Sequence, residues 1–209
     1  MENHTEKLVN MRIHSCKQGS DEWFALRTGR ITGTRIAKMA GGTKPTIDGL
    51  CYEVASEIIT GQRSDAIKAT PAMERGTEME AEARSAFSAE FLLNVVEVGF
   101  FEVDNLFGVS PDGLIGDDAG LELKCPLPHT HLKYITSGEK AWRAYRWQVQ
   151  GCLWATGRAR WYFASYCPLF DGRELVVNVV EPDADDLEKI AEKAEYCRGK
   201  INEILEVLK

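Results

Sequence analysis

Ser110-Pro111-Asp112-Gly113-Leu114-Ile115, followed across the turn Gly116-Asp117-Asp118-Ala119-Gly120 by Leu121-Glu122-Leu123-Lys124-Cys125-Pro126, is the stretch on which the fold turns. Side chains on a strand alternate faces, so Glu122 and Lys124 point one way while Leu121 and Leu123 point into a core. The turn at 116–120 folds the preceding strand back antiparallel and brings Asp112 opposite that pair. Two carboxylates and an ammonium then share one small polar patch. Like charges that close call for a cation between them, and hard oxygen donors in partial number suit Mg²⁺, with Mn²⁺ as a substitute. Phosphodiester hydrolysis uses such an arrangement, with the metal polarising a phosphoryl oxygen and lowering the pKa of a bound water, and the lysine orienting that water and offsetting developing charge. A D-x9-E-x-K spacing alone is equally compatible with a solvated surface hairpin.

Outward from this hairpin, residues 92–103 and 107–115 read as β-rich runs leading into 121–125, with two more strands expected at 159–166 and 174–180. A long helix is expected over 139–156. Pro182-Asp183 opens a final amphipathic helix with Leu187, Ile190, Ala194, Cys197, Ile201, Ile204 and Leu208 at helical spacing. Upstream, Ser20 before Asp21-Glu22 reads as a helix start, with Gly29 ending that helix. Thr34 is expected to cap a short second helix stopping at Gly41-Gly42, and Asp48 a third, after a polar loop, that ends near Gly61. Thr77-Glu78-Met79-Glu80 fits a capping box, with Met79, Ala83 and Phe87 on one face. Helices, then three strands, a helix and further strands imply an α/β fold, a central mixed β-sheet flanked by helices. No linker divides the chain, so residues 1–209 are read as a single domain.

The bulk composition fits this. A 209-residue chain that is 44% hydrophobic can bury a real core. It has no apolar run long enough to span a membrane, and its first seven residues lack a signal-peptide pattern, so a cytoplasmic protein is expected. The six cysteines, none closer than 15 residues to another, offer no zinc clip or iron–sulfur ligand set and read as reduced thiols. A net charge of −7 argues at first against a polyanionic partner, but it is uneven. Residues 181–195 carry seven acids against Lys189 and Lys193, while Arg143, Arg146, Arg158 and Arg160 alternate with Trp142, Trp147, Trp154 and Trp161. Local patches decide binding, not the total. The tryptophans read as core, with a base-stacking platform as the alternative. The pair His129 and His131 reads as a solvent-exposed loop pair rather than a metal site.

Pro111-Asp112 with Glu122-Leu123-Lys124 matches the PD-(D/E)XK nuclease signature, and its surroundings resemble the lambda-type phage exonucleases, the viral recombinase or alkaline exonuclease family. The matching runs are Leu26-Arg27-Thr28-Gly29-Arg30-Ile31-Thr32, Ser110 to Leu114, Gly120 to Pro126, Gln148-Val149-Gln150 and Trp161-Tyr162-Phe163-Ala164, in the family's order. The resemblance implies a restriction-endonuclease-like core and a Mg²⁺-dependent 5′-to-3′ exonuclease. Such an enzyme degrades one strand of linear duplex DNA from a 5′-phosphorylated end and leaves a 3′ overhang for phage-type recombination. It implies metal binding by Asp112, Glu122 and the carbonyl of Leu123, with Lys124 catalytic. Glu80, in Gly76-Thr77-Glu78-Met79-Glu80, would be a further acidic group near the metal, and its capping-box role can hold alongside. Tyr145 and Gln148 match positions near the active site, with simple packing as the alternative.

A helix N-terminus presents free amides to an anion, and a guanidinium grips phosphate with two bonds. An exposed arginine at a helix end is ordinarily only solvated, but the resemblance assigns Arg27, with Thr32 and Thr34, to the 5′-phosphate. The family also implies a homotrimeric ring, a single-strand-annealing recombinase as partner, and a phage or prophage origin. In such a ring the acidic stretch 181–195 would sit away from the channel, with Arg143 and Arg146 nearer to it. A site-specific endonuclease would need a groove-reading insertion that the chain lacks. A non-enzymatic end-binding protein would leave Asp112, Glu122 and Lys124 without a role.

Overall fold

The computed structural model describes residues 11–64 and 71–208 and, of residues 71–74, the backbone alone. The readings made above of residues 1–7 lie outside the described residues.

A five-stranded mixed sheet forms the centre, built from β2 (Val95–Val96), β5 (Gly113–Ile115), β6 (Ala119–Lys124), β7 (Arg160–Tyr166) and β8 (Leu175–Val180) in that spatial order. Only β6 and β7 run parallel; every other neighbour is antiparallel. A parallel pair needs a crossover. Here it consists of helix α5 (Pro128–Ser137), a 3-10 segment (Gly138–Tyr145) and helix α6 (Arg146–Thr156). A smaller sheet, β1 (Arg12–His14), β3 (Phe100–Glu102) and β4 (Gly108–Val109), lies beside it. The remaining helices are α1 (Asp21–Arg27), α2 (Gly33–Gly41), α3 (Lys44–Thr60), α4 (Pro71–Phe91) and α7 (Ala184–Glu206).

The two faces of the central sheet carry separate cores, as the period-2 pattern requires. Trp161 and Phe163 of β7 pack in the larger one with Ile36, Leu50, Val149 and Ile190 from α2, α3, α6 and α7. Leu121, Leu123 and Ala164 face the other way, onto Ala83 and Phe87 of α4. The expected face for Met79, Ala83 and Phe87 therefore exists. Gly120 is required by close approach, since a Cβ there would stand 2.3 Å from the buried Trp161 ring. Among the tryptophans, Trp161 is fully buried and Trp142, Trp147 and Trp154 pack against the core edge, which favours the core reading of that stretch.

Several local expectations hold. The Ser20 side chain accepts from the Trp23 amide at 3.3 Å to cap α1, and Asp183 accepts from the Asp186 amide at 3.1 Å to cap α7. All six cysteines are free thiols, five of them buried. Other expectations are corrected. The N-cap of α2 is Thr32, not Thr34. Helix α3 begins at Lys44 with Pro45 in its first turn, a position proline favours, so Asp48 lies inside the helix and accepts from the Tyr196 hydroxyl. Helix α4 begins at Pro71, so Thr77-Glu78-Met79-Glu80 lies in mid-helix and caps nothing. The run 107–115 divides between the two sheets, because Ser110-Pro111-Asp112 interrupts it.

The helix expected over 139–156 is α helical only from Arg146, and α5 went unread because Pro126-Leu127-Pro128 looks like a turn. His131 is fully buried on α5: its Nε2 donates to the Arg173 carbonyl (2.9 Å), leaving Nδ1 2.8 Å from Ser165 Oγ. Among the described residues, no helix is long and apolar enough to cross a membrane.

Candidate active site

A cleft of about 620 Å³ opens at the end of the sheet where β5 and β6 meet α1, α2, α4 and α6. Its floor is the hairpin. The register Gly113↔Leu121 sets Asp112 opposite Glu122 one step beyond the paired segment. The Leu123 amide donates to Asp112 Oδ2 at 2.6 Å. Glu122, only 2% exposed, accepts from Gln148 Nε2 at 2.6 Å and from Lys124 Nζ. Lys124 also lies 4.8 Å over the Tyr145 ring, which stacks on Phe163 and whose hydroxyl meets that of Tyr134. Tyr145 and Gln148 thus stand on the two sides of the Glu122–Lys124 pair.

Glu80 of α4 reaches the same cleft, but its carboxylate is held by Arg84 at 2.5 Å. Arg84 also donates through Nε to the Asp112 carbonyl (3.0 Å) and through a terminal nitrogen to Glu97 (2.9 Å).

The second wall carries Arg27. The guanidinium stacks 4.2 Å over the Trp23 ring and donates to Ser110 Oγ at 3.1 Å, and Trp23 Nε1 donates to the same hydroxyl at 2.9 Å. Gly33 and Thr34, in the first turn of α2, line the cleft next to it. The turn that presents Arg27 is fixed from beneath. Gly29 adopts a left-handed φ of 71°, and its amide donates to Glu57 Oε2 at 2.9 Å. Glu57, 1% exposed, also takes Arg35 at 2.5 and 2.9 Å and both the amide and hydroxyl of Ser64. Burial alone would raise this carboxyl, but those donors outweigh it and hold it at about 2.

The fold therefore gathers Asp112, Glu122, Leu123, Lys124, Glu80, Tyr145, Gln148, Arg27 and Thr34 around one cleft. It leaves Thr32 out: that side chain is 2% exposed and does not line the cleft. Arg146 does not line the cleft; it forms a two-bond pair with Asp186 (2.5 and 2.6 Å) inside the acidic stretch 181–195. Sequence reasoning missed Trp23, Gln18, Ser110 as an acceptor, and Arg84. Gln18 Nε2 donates to the carbonyls of Pro111 and Val98, both at 3.0 Å, and so steadies the Asp112 loop. Only Arg84 carried a readable signal, four residues after Glu80 on one helix face.

Electrostatics decide what this floor can accept. Asp112 keeps an accessible face, yet protein atoms crowd it from nearly every side. Burial, then the Glu122 charge, pushes its carboxyl well above the usual range. Burial also raises Glu80, against Arg84. Burial would lower the Lys124 ammonium, but Glu122 and Asp112 overcome this and hold it protonated. A cation placed by these carboxylates would relieve their repulsion, and the donors are hard oxygens. Among the described residues, no three His, Cys, Asp or Glu side chains close into an ion cage. Asp112, Glu122 and the Leu123 carbonyl are the groups on this floor that could hold such a cation.

Fold and sequence kinship together define the class: a nuclease of the alkaline exonuclease type. The chain belongs to the YqaJ-like viral recombinase family, whose domain matches residues 22–159. Among solved structures it is similar to the alkaline exonuclease LHK-Exo from Laribacter hongkongensis, with 31% identity and a TM-score of 0.79 over 90% of this chain and 96% of that one. The complex of LHK-Exo with dAMP gives 30% identity and a TM-score of 0.80 over 91% and 96%. A phage-related exonuclease from Haemophilus somnus shares the fold at 15% identity, with a TM-score of 0.66 over 86% and 96%. Curated protein sequences give no significant match.

Proposed function

We propose that the chain is a Mg²⁺-dependent 5′-to-3′ exonuclease that degrades one strand of linear duplex DNA from a 5′-phosphorylated end, leaving a 3′ overhang. One observation carries this reading: a single cleft holds a carboxylate pair with its lysine on the floor and, on the wall, a stacked arginine beside the N-terminus of α2. A terminal phosphate on that wall would present the neighbouring phosphodiester to the floor.

Asp112, Glu122 and the carbonyl of Leu123 would hold the metal, which supplies charge to a phosphoryl oxygen and acidifies a bound water. The protein's own groups do the rest. Gln148 and Lys124 fix the Glu122 carboxylate in one orientation. The Leu123 amide fixes Asp112. Lys124, kept protonated, orients the attacking water and offsets charge on the phosphoryl oxygens as it develops. Arg27, flattened on Trp23, would grip the terminal phosphate, and Thr34 with the first amides of α2 would add donors beside it. Processive action would follow from a ring, proposed as a homotrimer, and the 3′ strand would pass to an annealing recombinase.

The test is digestion of linear 5′-phosphorylated duplex beside covalently closed duplex of the same sequence, with Mg²⁺ and with chelator. The reading expects nucleotide release from the linear form alone and only with metal. Nicking of the closed form at a comparable rate would make the chain an endonuclease.

A further inference from the structure

Arg84 has no role in the chemistry described so far, yet it touches both acidic arms of the floor. It projects from α4, which supplies Glu80, and its guanidinium holds the Glu80 carboxylate (2.5 Å), the Asp112 main-chain carbonyl (3.0 Å) and Glu97 (2.9 Å) at once. Its side chain is only 14% exposed. The pairing of β2 with β5 ends at Val96↔Leu114, two residues after Asp112, so Asp112 lies past the end of that ladder. There Arg84 satisfies its carbonyl, and Glu97, the residue after β2, anchors Arg84 in turn. The loop on the other side is clamped by Gln18 at Pro111. Asp112 is therefore oriented from two directions, by its own side chain on the Leu123 amide and by its main chain on Arg84.

We infer that Arg84 is the positioning residue that sets Asp112 and Glu80 in register for metal binding, one planar fork coupling α4 to the start of β5. The inference rests on the metal-site reading of Asp112 and Glu122. A fork with five fixed donors can serve a carbonyl and two carboxylates together. A lysine is a point charge and keeps the ion pair with Glu80 but not the carbonyl contact at the same time. A helix pair that merely stabilised α4 would tolerate that exchange.

The test is Mn²⁺ binding to the DNA-free protein, followed by electron paramagnetic resonance, for wild type, Arg84→Gln, Arg84→Lys and Asp112→Asn, with thermal unfolding of each. Groups that orient metal ligands change affinity by about 10–100-fold when removed. Arg84→Gln is expected to weaken Mn²⁺ binding by that factor, and Arg84→Lys to fall between it and wild type while unfolding at the wild-type temperature. Should Arg84→Gln not fold, the lysine variant decides alone. Wild-type or tighter Mn²⁺ affinity in the folded arginine variants, with Asp112→Asn impaired, overturns the inference and leaves the metal site standing. Failure of the wild-type protein to bind Mn²⁺ overturns both.

Discussion

At the scale of single residues, the floor of the cleft was legible because a strand has a period of two and a short turn fixes which residues face each other. Asp112, Glu122 and Lys124 meet as that arithmetic requires. Replacing any one of them with alanine is expected to lower the single-turnover cleavage rate on end-labelled duplex by about 10²–10³-fold or more, the scale of a lost preorganised charge. Unfolding temperatures should hold or rise for Asp112→Ala, since a crowded like charge is removed. Lys124→Ala cleaving near the wild-type rate would remove that group from the chemistry. Arg27→Ala is expected to abolish the preference for a 5′-phosphate over a 5′-hydroxyl end, a loss of about tens- to a hundredfold. The ratio of the two substrates checks this independently of any loss of packing on Trp23. What the sequence could not show were contacts between residues far apart in the chain, such as Trp23 and Arg27 converging on Ser110 across more than eighty positions.

At the scale of elements, caps formed by a side chain on its own helix were readable, and Ser20 and Asp183 act as expected. Helix starts marked by proline went unread at Pro45, Pro71 and Pro128, because proline before a polar run resembles a turn when it is the first turn of a helix. The Glu57 cluster was invisible for a different reason: a glutamate in the last turn of a helix gives no hint that its partners are Gly29, Arg35 and Ser64. This buried group secures the turn behind Arg27. Glu57→Gln is expected to destabilise the fold by about 3–5 kcal/mol, the cost of breaking a buried pair from one side. Its carboxyl is depressed from an ordinary 4.5 to about 2 on folding, so its stabilisation is complete above about 4.5 and fades as pH falls toward 2. Urea titrations of wild type and Glu57→Gln across that range should therefore converge at low pH. A constant difference would mean that Glu57 does not titrate with folding.

At the scale of the whole molecule, the sheet order and the helices on both faces agree with the α/β expectation drawn from the order of elements, and the chain spans nearly all of the alkaline exonuclease it matches. The expectation of a ring rests on resemblance alone. A chain of net charge −7, with Arg146 paired to Asp186, holds DNA poorly by attraction alone, and a closed ring would retain it by topology. Sedimentation is expected to give a closed cyclic oligomer, a trimer by that resemblance, and degradation that persists when a DNA trap is added after loading. A stable monomer that stays processive under the same challenge would remove the ring from the account. The central claim, that this cleft removes nucleotides from the 5′ end, is tested most directly with a duplex carrying a 5′-phosphate on one strand only and a distinct label near each of the four ends. The label next to the 5′-phosphate should be released first, its partner strand should stay intact, and Asp112→Asn or chelator should stop the release. Labels leaving first from a 3′ end, or cuts in the interior while all four ends remain, would contradict it.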